Sequence, residues 1–269
     1  MDEERLGLFL AAKMRRVIGS RRDANLIFFD EDEVHHLTRV LRLGEGAEFE
    51  AILPPATRCR CRLRRVDSGW AGDIVAEATT TWESPLRICL VQSLIKGDKF
   101  EWVLQKAVEL GVAEVQPMSS HRTEVSLTDR RRDRRMTRWT RILREAVKQC
   151  GRTEVPILHE PRLLAEVLEV RRGPCCVYLD EGGRSSLEEL LDPSTQPQMR
   201  AVFIGPEGGW DEKDRTLFER AEVPSVRLGP RILRTETAAI SILSILQFRL
   251  GDLAASPAGF SVDYRPPTH

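Results

Sequence analysis

Beyond residue 85 the chain alternates short apolar runs with amphipathic helical stretches, and that alternation restricts it to a sheet flanked by helices. Leu86–Gln92, Val115–Met118, Cys176–Leu179 and Ala201–Ile204 are apolar without a period of two. Such runs suit strands buried on both faces, as in a parallel sheet. Between them, Lys99–Leu110 places Phe100, Val103, Leu104, Ala107 and Leu110 on one helical face. Gly111 follows, where a left-handed residue ends a helix. Arg130–Gln149 places Trp139, Ile142, Leu143, Ala146 and Val147 inward, and Gly151 closes it. Leu163–Val170, a stretch near Asp211–Arg220 and Thr235–Arg249 read as further helices, with a short strand at Ser225–Leu228.

The first eighty residues obey a different grammar. Leu26–Phe29 and Glu48–Leu53 read as strands. Asp30 with Glu33 three residues on has the form of a capping box, opening a helix with Val34, Leu37, Val40 and Leu41 on one stripe. Arg58–Val66 alternates: Cys59, Cys61 and Leu63 face one side, and Arg58, Arg60, Arg62 and Arg64 the other. The arginine row has two readings, a track for a phosphate backbone or the solvated face of a barrel. Thr79 to Pro85 looks like a linker. The expected organisation is therefore an α/β protein: a β-rich domain over residues 1–80, an α/β domain over 81–255 and a tail over 256–269.

No apolar run approaches the roughly 18 residues that a membrane span requires. The acidic start, with no apolar core behind it, predicts a cytoplasmic protein. The six cysteines form no Cys-x-x-Cys pair and no zinc spacing, so they read as reduced and structural. The 41 basic and 41 acidic residues cancel, but Arg130 to Arg152 holds ten basic groups against Asp133 and Glu145. A cluster of that kind points to an anionic partner.

Two stretches carry the chemistry. Ala201–Ile204 ends in Gly205-Pro-Glu-Gly-Gly209, just before a helix. Ligands of open α/β sheets sit beyond the carboxyl ends of strands, and glycine permits close backbone approach. A tight structural turn is the other reading. The loop is neither a dinucleotide fingerprint nor a phosphate-binding loop. The second stretch is Leu228-Gly-Pro-Arg-Ile-Leu233-Arg-Thr235-Glu-Thr-Ala, where Thr235 is placed to cap a long apolar helix.

Together these stretches strongly resemble the RsmE family of bacterial small-subunit ribosomal RNA methyltransferases, of the SPOUT class. The resemblance extends to Lys96–Gly111, to Glu145–Arg152 and to His35-His-Leu-Thr-Arg-Val-Leu-Arg42. His121-Arg-Thr123 resembles the family's Glu-Arg-Ser, with His121 standing where Glu is common. The resemblance implies a PUA-like β-barrel followed by a SPOUT domain with a deep trefoil knot. It implies methyl transfer from S-adenosylmethionine to N3 of a uridine in 16S rRNA, without a metal; the alternative is another RNA nucleotide. It places the cofactor on Ile204, Gly205, Pro206, Glu207, Gly208 and Gly209, and on Leu228, Gly229, Ile232 and Leu233. It implies a homodimer, with each site built from both chains.

The chemical step requires loss of the N3 proton and stabilisation of the resulting uracil anion. The candidates are Arg122, Arg152, Arg234 and Glu207. Arg152 follows Gly151, and that loop position is expected to let it reach a partner's pocket. RNA contacts are expected from Arg39, Arg42, Arg58, Arg60 and Arg62, and from Arg131, Arg134, Arg138 and Gln149. A pure RNA-binding protein and an enzyme of small phosphorylated metabolites are the rival classes. The intact pair of loop motifs argues against the first, and the basic helix against the second.

Overall fold

The computed structural model of the chain describes residues 15–67, 69–79, 82–125, 129–190, 201–255 and 264–267. The start Arg5 to Phe9 and most of the tail lie outside them. The chain forms two compact units. The first comprises Met1–Glu83, Val147–Val155 and Ala255–His269, and the second Ser84–Ala146 and Pro156–Ala254.

The first unit is built on a six-stranded sheet of order β1-β4-β5-β6-β3-β2. Its strands are β1 (Arg16–Ile18), β2 (Arg21–Asp23), β3 (Leu26–Phe28), β4 (Glu48–Leu53), β5 (Thr57–Val66) and β6 (Gly69–Thr79). All neighbours are antiparallel except β1 and β4. Phe49, Ala51, Cys59, Cys61 and Leu63 meet Val17, Ile27, Leu37 and Ile74 in its core, as the alternation along β5 requires.

Three expectations are corrected in this unit. First, the row of arginines is not uniformly exposed. Arg60, Arg62 and Arg64 face solvent, but Arg58 is only 1% exposed. Segment 147–155 and Trp82 cover it: its guanidinium donates to the Gly151 carbonyl, lies 3.6 Å from the buried Glu50 carboxylate, and sits over the Trp82 ring. Arg16 and the Tyr264 hydroxyl donate to the same carboxylate at 3.0 and 2.8 Å. Second, Trp82 and Glu83 are packed parts of the unit and not linker. Third, the helical stripe breaks. Asp30 accepts from the Glu33 amide as expected, and α1 (Glu31–His35) begins there. From His36 to Val40 the backbone widens into a π-turn, with the Leu41 N–H bonded to the His36 carbonyl. The widened turn rotates Val40 outward, where it is 59% exposed, while Leu37 stays buried.

The second unit is a parallel sheet of order β10-β8-β7-β12-β11-β13, with β9 also on β8. Its strands are β7 (Cys89–Ser93), β8 (Glu114–Ser119), β9 (Ile157–Leu158), β10 (Arg162–Leu163), β11 (Cys176–Leu179), β12 (Ala201–Ile204) and β13 (Ser225–Val226). The central β7 and β12 are buried throughout. The helices are α2 (Lys99–Glu109), α3 (Asp129–Cys150, whose residues from Val147 on belong to the first unit), α4 (Leu164–Val170), the short α5 (Leu187–Leu190), α6 (Glu212–Arg220) and α7 (Thr235–Leu250). One core gathers Val91, Tyr178, Phe203 and Trp210 with Leu164 and Leu168 of α4 and Phe218 of α6. The Tyr178 and Phe218 rings stack at 4.0 Å. Gly111 is left-handed at φ +75°, as the helix end requires.

In α7, Ala239, Ile242, Leu243 and Leu246 are buried, whereas Ile245 and Phe248 are 38% and 60% exposed. Trp102 of α2, a helix that packs on α7, is 44% exposed. The cap of α7 is also corrected. Arg234 occupies the cap position and Thr235 is the first helical residue.

Candidate cofactor site

A cavity of about 450 Å³ opens in the second unit beyond the carboxyl ends of β11 and β12, within the size range of small-molecule sites. Its position follows from the topology. Parallel strands bring successive loops to one edge, so Leu179, Asp180 and Glu181 after β11 lie beside the loop after β12.

That loop is held from three sides. Trp210 lies under Gly205, where a β-carbon would sit 3.0 Å from its ring, and its indole N–H donates to the Leu179 carbonyl at 2.7 Å. Arg122 donates to the Gly208 carbonyl at 2.9 Å. Thr235 donates its hydroxyl to the Gly205 carbonyl at 2.7 Å and accepts from the buried Gln92 amide at 3.1 Å. Of the glycine pair, only Gly209 is left-handed, at φ +68°. The loop from 227 to 230 is closed by Arg227, which donates to the Gly229 and Pro230 carbonyls.

The charges are distributed unevenly. Lys99 pairs with Glu207, and Arg215 donates two hydrogen bonds to Asp180 at 2.8 and 3.2 Å. Burial raises the Asp180 carboxyl pKa, but Arg215 and local backbone amides outweigh it, so the group stays below the ordinary carboxylate range. Arg231 and Arg234 present exposed guanidinium groups at the mouth. Glu236, in the first turn of α7, has a buried Oε2 with no hydrogen-bond partner among the described residues.

The structure brings together Ile204 through Gly209, Leu228, Ile232 and Leu233 at this cavity, with Arg122, Arg234 and Glu207. Gly229 shapes the turn without lining the cavity. Sequence reading missed Asp180, Arg215, Arg227 and Thr235 as a loop anchor, and it left Glu236 open between a dipole-stabilising and a ligand-facing role; Glu236 lines the cavity. The adjacency of β11 to β12 is not legible from either strand alone.

Arg152 departs from its expected role. The left-handed Gly151 turns the chain so that Arg152 is 6% exposed in the first unit, donating to Glu83 at 2.9 Å through Nε and at 2.5 Å through Nη2. The other Glu83 oxygen accepts the Thr153 and Glu154 amides. Within the chain its guanidinium is committed to Glu83 and does not line the cavity. Of the residues expected to touch RNA, Arg39, Arg42, Arg60, Arg131, Arg134 and Gln149 are exposed. Arg62 and Arg138 are exposed but pair with Glu48 and Glu101 at 3.1 and 2.6 Å.

Residues 82–247 match the RNA methyltransferase domain family, and residues 29–68 the RNA methyltransferase PUA domain family. The chain is 30% identical to ribosomal RNA small subunit methyltransferase E of Bacillus subtilis, over 81% of this chain and 88% of the relative. A putative methyltransferase from Legionella pneumophila, solved with bound S-adenosylmethionine, superposes with a TM-score of 0.82 at 31% identity, over 90% and 100% of the two chains. Ribosomal RNA small subunit methyltransferase E from Neisseria gonorrhoeae, bound to the same cofactor, gives 0.79 at 31% identity, over 89% and 99%. The first unit is thus PUA-like and the second a methyltransferase domain, and the chain belongs to the ribosomal RNA small subunit methyltransferase E (RsmE) family.

Proposed function

We propose that this chain transfers a methyl group from S-adenosylmethionine to N3 of a uridine in 16S ribosomal RNA. The observation that carries this reading is the cavity itself: a pinned glycine loop at adjacent parallel strand ends, in a chain that superposes on two cofactor-bound methyltransferases. The residues present suit the cofactor. The unpartnered Glu236 oxygen is a place for a cationic group, since a buried carboxylate oxygen left unpaired is costly. Backbone groups of Ile204–Gly209 and 228–233 supply donors and acceptors for an adenine edge, flanked by Leu228, Ile232 and Leu233. The trefoil knot expected of the class belongs to this reading.

When bound, the cofactor supplies a methyl group already activated by a sulfonium. The chain must orient the uracil and accept the charge that develops as the N3 proton leaves. Arg122 and Arg234 stand at the cavity for that purpose, and one such donor contributes on the order of 100–1000-fold in rate. Glu207, held by Lys99, is the carboxylate nearest in role to a proton acceptor.

A second copy of the chain covers Ile245, Phe248 and Trp102 in this reading, since exposed aromatic side chains on neighbouring helices mark an association surface. The exposed arginines of α3 and of the PUA-like unit hold RNA phosphates. Among the described residues no helix is long and apolar enough to cross a membrane.

The test is methylation of ribosomal RNA lacking the modification, with nucleoside mass spectrometry of the product. 3-Methyluridine is expected, and a methyl group on any other nucleotide would replace the uridine assignment. Replacing Arg131 and Arg134 with Ala should lower the log–log salt slope of RNA binding by about 0.7–0.9 for each phosphate left without its arginine.

A further inference from the structure

We propose that His121 is a positioning residue for the cofactor loop, acting through its neighbour Arg122. His121 sits in the turn after β8, and its Nδ1 lies 2.8 Å from Oδ1 of Asp214. Its backbone N–H donates to the same oxygen at 3.3 Å. Asp214 is fully buried in the first turn of α6, the helix that begins directly after the glycine loop. Its other oxygen accepts the Asp211 N–H at 3.2 Å. A buried carboxylate requires partners for both oxygens, and His121 supplies them for one.

On the far side of Arg122 the turn is fixed again. Thr123 Oγ1 lies 2.9 Å from the buried Ser93 hydroxyl and accepts the Ser120 N–H at 2.9 Å. Arg122 is thus clamped on both sides, and its guanidinium is delivered to the Gly208 carbonyl at 2.9 Å. Its stem also runs under Gly208: a β-carbon built there would lie 3.6 and 3.7 Å from Cβ and Cδ of Arg122. The route is continuous from α6 through Asp214, His121 and Arg122 to the loop.

His121, Asp211 and Asp214 also place one potential ligand atom each within 4.8 Å of one another. The carboxylate oxygens, however, are already engaged. Asp211 Oδ1 accepts the Lys213 and Asp214 amides at 2.7 and 3.1 Å, and both Asp214 oxygens are used as described. The cluster is therefore read as a helix cap extended by a histidine, with the imidazole turned to loop placement.

This inference rests on the reading that the cavity takes S-adenosylmethionine. Calorimetry of the unmodified chain with that cofactor tests the reading first and separately. The inference itself is tested with His121→Ala, His121→Asn, Arg122→Ala and the double variant His121→Ala/Arg122→Ala, in full-length protein. His121→Ala is expected to raise Kd and KM for the cofactor about tenfold and, because the displaced Arg122 also serves the chemical step, to lower kcat at saturating cofactor as well. Asn places an amide N–H close to the position of Nδ1, so His121→Asn is expected to restore affinity to within about threefold. Because His121 acts through Arg122, the double variant should bind no more weakly than Arg122→Ala alone. Should His121→Ala fail to fold, His121→Ser, too short to reach Asp214, takes its place in the cycle. Additive losses, a His121→Asn variant as weak as His121→Ala, or an unchanged affinity in His121→Ala would each overturn the proposal.

Discussion

The hydroxyl of Thr235 donates to the carbonyl of Gly205 at 2.7 Å, joining the first turn of α7 to the start of the glycine loop. Thirty residues separate the two in sequence, yet this bond sets how far the two halves of the cavity stand apart. Thr235 is 7% exposed and also accepts from Gln92, so removing its hydroxyl takes a partner from the half-buried Gly205 carbonyl and one of two acceptors from the buried Gln92 amide. Thr235→Val keeps the volume and is expected to cost about 1–3 kcal/mol of stability with a clear loss of cofactor affinity. Thr235→Ser should retain most of both. Denaturant titration beside calorimetry checks this; a Val variant equal to Ser in both would show that the hydroxyl is dispensable.

The two glycines of the loop should differ in their tolerance of a side chain. Gly209 is left-handed, where a β-carbon costs roughly 1–2 kcal/mol. Gly208 is not, and a β-carbon there meets Arg122 at ordinary van der Waals distance. Gly209→Ala is therefore expected to weaken cofactor binding more than Gly208→Ala, while the larger Gly208→Val displaces Arg122 and weakens binding with the fold intact. Equal affinities for both Ala variants would argue against this account of the loop.

In the PUA-like unit, Arg58 and Arg152 are buried against Glu50 and Glu83. Truncating Arg152 leaves the Glu83 charge without its guanidinium, and an uncompensated buried charge costs about 3–5 kcal/mol. Arg152→Ala should lower the thermal midpoint sharply, and Arg58→Ala less, because Glu50 keeps Arg16 and the Tyr264 hydroxyl. Arg62→Ala should move it little, because its pair with Glu48 is exposed. For Arg152→Ala, single-turnover methylation below the melting transition should retain most of the saturated rate. A large rate loss in a stable Arg152→Ala variant would return that residue to the chemical step.

Stability should fall at alkaline pH. Burial pushes the Cys89 thiol up to about 12 from an ordinary value of 9.0, and raises Cys61 in the same direction. Between those values the unfolded chain releases the thiol proton and the folded chain keeps it, so the unfolded state gains as pH rises. Each such thiol contributes a slope of at most about 1.4 kcal/mol per pH unit. Urea unfolding from pH 8.5 to 10.5 should show the decline, and Cys61→Ala should flatten it. A stability that rises across that range would contradict the sign.

The alternating grammar after residue 85, the cysteine-lined strand Arg58–Val66 and the glycine loop were all legible in order along the chain. Each is a local pattern: a period of two or 3.6, or a glycine where a turn needs it. The same locality explains where the reading stopped. Arg58 has the period of an outward residue. It is buried because a segment some ninety residues later lays the Gly151 carbonyl on it. Val40 has the helical period of a core residue, and one π-turn rotates it into solvent.

For the candidate site the division is similar. The sequence by itself determined the two loop motifs, the strands that carry them and, through them, the family. Only the tertiary structure decided that Thr235 anchors Gly205 instead of capping its helix, that Asp180 and Arg215 lie beside the loop, and that His121 holds Asp214. It also placed Arg152 on Glu83 instead of in a pocket. Propensity and periodicity act over a few residues, whereas a buried polar group takes whichever partner the packed chain brings within about 3 Å, and a parallel sheet draws those partners from distant positions.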